Sequence, residues 1–168
     1  MDARRSEPRP GDGNAEPPGW WQAIGALGAL ERLAALGAVV CAAATILPWY
    51  QAPVGGLVKT GLGSFGFVMA AQLLSVGAAL FLLLQGGRGR RPALPLYEGT
   101  LLALAGFWAV AMVVYSMVDR PSFPLSGFET EYRLAYGIFV ALGAAGLLGV
   151  MGLRIRAAEL SARRRPRR

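Results

Sequence analysis

Few side chains in this sequence are equipped for chemistry, and their spacing leaves them little to do. Cys41 is the only cysteine and there is no histidine. One thiol makes no intramolecular disulfide, no Cys/His metal cluster and no haem ligation. Ser75 and Ser116 have no histidine to act as a base beside them, so a serine hydrolase is not built. Thiol oxidoreductases need cysteine pairs, and head-group transferases need aspartate clusters for metal ions. Gly55-Gly56-Leu57-Val58-Lys59-Thr60 resembles a phosphate loop, but Val58 stands where the motif requires glycine. Cys41 follows Ala38-Val39-Val40, and Val40 replaces the small residue of a lipoprotein signal. It reads as a small buried apolar residue. The expectation is a non-enzyme with no catalytic residues, no cofactor and no metal.

The elements that hold these residues are four stretches without a charge: Leu33–Tyr50, Thr60–Gly87, Gly99–Val118 and Leu134–Leu153. About 20 apolar residues of helix cross a bilayer, and in lipid the backbone must satisfy its own hydrogen bonds. The pattern predicts an all-α integral membrane protein, an antiparallel four-helix transmembrane bundle with spans near residues 33–50, 64–84, 97–118 and 132–153. Residues 1–19, rich in Pro, Gly and charge, read as a disordered cytoplasmic arm. Residues 20–156 form the membrane domain, and 157–168 a basic cytoplasmic tail. The length of the segment before the first span argues for an uncleaved anchor rather than a signal peptide. Trp20–Leu30 is either an interfacial segment bending near Gly25 or Gly28, or part of one strongly tilted helix.

Charge sets the orientation. The 17 basic residues exceed the 10 acids by seven. Arg4, Arg5, Arg9 and Arg32 precede the first span, and Arg88, Arg90 and Arg91 lie between the second and third. Seven more arginines follow the fourth span, from Arg154 to Arg168, whereas the alternate loops hold only Lys59, Arg120 and Arg133. This bias places both termini in the cytoplasm. The basic tail has no interleaved aromatic for base stacking, so anionic lipid head groups are its expected partner and nucleic acid is not. All but one of the basic residues are arginine, and Ala, Gly and Pro are abundant. A GC-rich bacterial genome accounts for both biases, and the plasma membrane of such a cell is the expected location.

Ionisable residues inside spans mark ion and proton paths, and none lies inside these four. Glu31 and Glu98 stand at the cytoplasmic ends of the first and third spans, where ion pairs with Arg32, Arg154 or Arg156 are expected. Near mid-depth lie Gln72 and Trp108. Antiparallel neighbours would bring them together, and the indole N–H could then donate to the amide; the alternative is Gln72 bonded to a backbone carbonyl. On the last helix Gly137, Ala141, Ala145 and Gly149 recur every four residues, a small-residue stripe that lets helices approach in lipid. Its partner is another helix of the bundle, a second copy or another membrane protein.

Pro48-Trp49-Tyr50 should terminate the first span with aromatics at the outer head-group level. The outer loop of residues 119–132 carries three acids, two prolines, Phe123 and Phe128, the phenylalanines available to pack onto helix ends. At Leu47-Pro48-Trp49-Tyr50, and again at Tyr136-Gly137-Ile138-Phe139-Val140-Ala141, the chain resembles a family of uncharacterised actinobacterial four-span membrane proteins. The resemblance implies the four-span topology and no activity. The second helix opens Ser64-Phe65-Gly66-Phe67 without the tryptophan associated with that family. The functional expectation is a structural or accessory subunit of a membrane assembly. A small oligomeric transporter or channel, and a lipid- or isoprenoid-binding module, stand as alternatives.

Overall fold

The computed structural model describes residues 20–52, 56–64, 66–88, 97–120, 122–125 and 128–164. The arm of residues 1–19, the loop of residues 89–96 and the tail's last residues, 165–168, lie outside them. Among these residues are five α-helices and five short strands. The helices are α1 (Trp20–Ala26), α2 (Ala29–Ala44), α3 (Phe67–Gly87), α4 (Glu98–Val118) and α5 (Tyr136–Arg164), and the strands fall between α2 and α3 and between α4 and α5. Three of them, α3, α4 and α5, are long and apolar enough to cross a membrane. Helices α2, α3, α4 and α5 close a ring in which each packs on two neighbours, with α5 the most extensively packed.

The first two helices are separate. The chain breaks at Leu27-Gly28, where the Gly28 N–H donates to the Glu31 carboxylate at 2.8 Å. Gly28 has no side chain to return the bond, so only half of a capping box forms. The Arg32 guanidinium donates to the Gly25 carbonyl at 2.9 Å and ties the last turn of α1 to α2. Short α1 packs against α3.

The expected first span, 33–50, is not one helix. Helix α2 starts earlier, at Ala29, and stops at Ala44 after 16 residues, about 24 Å at 1.5 Å per residue. Pro48 has no N–H and disfavours helix at the residue before it. The chain therefore tightens through Thr45, Ile46 and Leu47, whose N–H groups bond to Ala42, Ala43 and Ala44. Thr45 Oγ donates again to Ala42, and the Trp49 indole donates to the Ala44 carbonyl at 2.7 Å. The orphan carbonyls of the helix end are thus capped from within.

Beyond this turn the chain enters β-structure, which corrects the purely helical expectation. Strand β1 (Pro48–Gln51) is the centre of an antiparallel sheet ordered β2-β1-β5, with β2 (Val58–Thr60) and β5 (Arg133–Leu134). Tyr50 pairs with Lys59 on one side and Leu134 on the other. Gly56 turns the first hairpin at φ +68°, a conformation that suits glycine. A second hairpin joins β3 (Ser122–Leu125) to β4 (Phe128–Glu131). Packing by Phe123 and Phe128 lies outside what the described side chains show. The last helix starts at Tyr136, not at 132, because residues 133–134 are used in the sheet.

The core is made of small residues. Around mid-length Ala34, Ala38, Cys41, Ala79, Ala109 and Ala145 pack with Val76, Leu83, Leu102 and Leu148. Toward the sheet Trp49, Tyr50, Met69, Val113, Ile138 and Ala141 form a second cluster. Between α4 and α5 the backbones touch: a Cβ on Gly106 would collide with the Gly149 amide nitrogen, one on Gly99 with Arg156 backbone and one on Gly152 with Ala103 backbone. Small residues permit such contact, which in lipid supplies the dispersion attraction that holds helices together.

Candidate functional site

The α5 stripe lies inside the molecule. Gly137, Ala141, Ala145 and Gly149 are all buried, and a Cβ on Gly137 would stand 2.5 Å from the Pro48 carbonyl oxygen. Its counterpart, Gly99, Ala103 and Gly106 on α4, escapes the sequence reading, although the i, i+4, i+7 spacing shows it. On α2, a Cβ added to Gly37 would stand 3.0 Å from the Ala144 carbonyl oxygen and 3.1 Å from the Leu148 nitrogen. These residues build a rigid scaffold and hold no reactive group.

The two mid-depth polar residues are not brought together. Gln72 is 1% exposed and Trp108 is 50% exposed. The inward face of α4 is formed by Leu102, Ala103, Gly106, Ala109 and Val113, and Trp108, two residues beyond Gly106, projects to the opposite side. Gln72 turns inward to α2 instead, with its Nε2 3.5 Å from Cys41 Sγ. Its Oε1 is buried with no hydrogen-bond partner among the described residues. Among the described residues neither the expected Trp108–Gln72 bond nor the alternative bond to a backbone carbonyl is present.

Two of the inner charges find other partners among the described residues. Glu31 caps the α2 N-terminus and Arg32 binds the Gly25 carbonyl, so the pair expected between them does not form. Glu98 opens α4 with its carboxylate against Gly86, where an added Cβ would lie 2.7 Å from Oε1. Arg154 and Arg156 are exposed. Helix α5 continues past them, and the Arg163 guanidinium stacks over the Tyr97 ring at 4.9 Å from its centroid, a cation–π contact. The Ser75 and Ser116 hydroxyls donate to carbonyls of their own helices, Gln72 and Met112.

Polar groups converge with open space beside them at the opposite end. A cleft of about 450 Å³ opens between the first turn of α3 and the last turn of α4. Tyr50 forms its floor and is buried, its hydroxyl donating to the Ser116 carbonyl at 2.7 Å. Burial pushes the Tyr50 phenol above its ordinary value, because a phenolate there would lose its hydration. Tyr115 and Asp119, one helical turn apart, line the cleft together. The Arg120 Nε donates to the Met117 carbonyl at 3.0 Å, which pins the side chain at the helix end. Gly66, Phe67 and Val68 form the facing wall. Sequence reading misses this group because Tyr50 and Ser116 are 66 residues apart and only the strand β1 brings them together. Among the described residues no group of three or more His, Cys, Asp or Glu side chains is placed to hold a metal ion. No protein family, curated protein or solved structure matches this chain.

Proposed function

We propose that this chain is a non-catalytic multi-pass protein of the bacterial plasma membrane, a structural or accessory subunit of a membrane assembly. In this reading α2 with its capped turn is a fourth, short crossing, so that α2–α5 form an antiparallel four-span bundle with both termini in the cytoplasm. The sheet then lies at the outer surface and Arg154, Arg156 and Arg163 at the inner one, following the positive-inside rule. The resemblance to actinobacterial four-span proteins at Leu47–Tyr50 agrees with it.

The observation that carries the accessory role is a notch on the outer face of α5. Gly143 and Gly146 have nothing within 4 Å of an added Cβ, between exposed Phe139 and exposed Val150. Glycine within a helix costs about 1 kcal/mol relative to alanine. In lipid a glycine notch repays that cost when a second helix seats in it. Affinity purification of the tagged chain from native membranes tests the role, with bound proteins identified for wild type and for Gly143→Leu. Partners present with wild type and lost with the variant are expected. The same set with both rejects the notch as the contact.

A second reading, a lipid-binding module, is favoured by the cleft between the ends of α3 and α4, two helices long and apolar enough to cross a membrane.

A further inference from the structure

The cleft beside Tyr50 places two opposite charges at one end of an apolar track. Asp119 and Arg120 follow α4 directly and both are exposed. No ion pair joins them among the described residues: the guanidinium is held by the Met117 carbonyl, and both side chains line the cleft. Each charge keeps capacity for another partner, because a carboxylate accepts about four hydrogen bonds and a guanidinium donates five. The pair is net neutral.

Below the charges the surface is apolar. Leu104, Trp108, Tyr115 and Val118 are exposed on α4, at spacings that set them on one helix face. Phe67 and Leu74 are exposed on α3, and Phe67 lines the cleft with Tyr115. A track of hydrocarbon-facing side chains thus ends in a carboxylate and a guanidinium, at the depth where aromatic residues meet the head-group region.

We propose that this cleft holds a zwitterionic ethanolamine phospholipid, its ammonium toward Asp119, its phosphate toward Arg120 and its acyl chains along the Tyr115–Trp108–Leu104 face. Charge complementarity selects this occupant. A primary ammonium donates hydrogen bonds to the carboxylate, and the phosphate accepts from the planar guanidinium. A phosphatidylglycerol head group brings the same phosphate but leaves Asp119 facing a negative lipid, and a choline head group has no N–H to donate. The proposal rests on the membrane reading of the chain.

Trp108 reports on the site. It lies seven residues from Tyr115, about 10 Å along the helix at 1.5 Å per residue, whereas Trp49 is fully buried. The full chain, with Trp20→Phe and Trp21→Phe, is reconstituted in phosphatidylcholine vesicles carrying a minor fraction of lipid brominated on its acyl chains. Trp108 fluorescence is then measured. Brominated phosphatidylethanolamine is expected to quench at about a two- to fivefold lower mole fraction than brominated phosphatidylglycerol, the size that partly exposed charge pairs support. Asp119→Asn should reduce that preference, and Arg120→Gln should weaken quenching by both lipids, each with helical content unchanged. Equal quenching by both lipids, or stronger quenching by phosphatidylglycerol, overturns the site while leaving the membrane reading in place. No quenching by either lipid removes α4 from hydrocarbon and overturns both.

Discussion

The side-chain amide of Gln72 stands 3.5 Å from the Cys41 sulfur, its N–H toward Sγ, while its carbonyl oxygen is sealed in the core without a hydrogen-bond partner among the described residues. Sulfur is a weak acceptor, so the contact recovers little of what burying the amide costs. An unsatisfied buried polar group costs about 1–3 kcal/mol, whereas an apolar group of similar shape can be neutral or better. Gln72→Met is therefore expected to raise the thermal midpoint in detergent. A lowered midpoint would show that Oε1 is satisfied, for instance by an internal water.

The α4–α5 seam gives a sharper contrast. Gly106→Ala drives its Cβ into the Gly149 backbone, but Gly77→Ala meets nothing within 4 Å. Overpacking costs about 1–3 kcal/mol, and the Gly106 variant should lose at least that much because backbone cannot rotate away. Ala145, fully buried, should behave similarly as Ala145→Leu. Gly77→Ala should be neutral or stabilising through helix propensity. Denaturant titration of the three variants in one detergent checks the order, and equal stability of Gly106→Ala and Gly77→Ala would show that the seam is not closed.

Some of the fold is legible in the sequence and some is not, because each signal encodes a different property. Apolarity and length mark α3 and α4 within a few residues, because a charge-free run of that length has few alternatives in lipid. The same signal misreads Pro48-Trp49-Tyr50, since absence of charge does not distinguish a helix end from a strand. Strand β1 acquires its identity from β2 and from β5, which lies more than 80 residues away, and a two-residue strand such as β5 has no local pattern. Depth along a helix can be counted, and it places Trp108 near mid-span. The face it presents depends on which neighbours are small enough to pack, and Gly106 and Ala109 win the interior from it. The cleft stays hidden in the sequence for the same reason as β1: its residues meet only through pairing between distant segments.

Tyr50 gives a dependence on pH. Its phenol titrates in the folded chain above the value of 10.0 that it has when exposed, and burial is the cause. The unfolded chain therefore releases this proton first. The stabilisation is complete below pH 10 and is lost as pH rises through the folded value. The thermal midpoint should fall above pH 10, and Tyr50→Phe should flatten that fall. At neutral pH the same variant loses the bond to the Ser116 carbonyl, a cost of about 1 kcal/mol. Identical alkaline profiles would show that other groups carry the effect.

The orientation of the whole molecule can be tested with single thiols. Cys41 is completely buried and should stay silent to a membrane-impermeant maleimide, so the native chain supplies its own background. Leu57, exposed in the β1–β2 hairpin, and Ser161, exposed near the end of α5, lie at opposite ends of the bundle. Gly89 and Ser126 make a second pair by sequence, in the inner and outer loops, although both lie outside the described residues. With the basic end in the cytoplasm, Leu57→Cys and Ser126→Cys should label on intact cells. Ser161→Cys and Gly89→Cys should label only after the membrane is opened. Surface labelling at 161 with protection at 57 would invert the molecule and place the Asp119–Arg120 cleft in the inner leaflet. Labelling of 57, 126 and 161 alike on intact cells would mean that α5 does not cross.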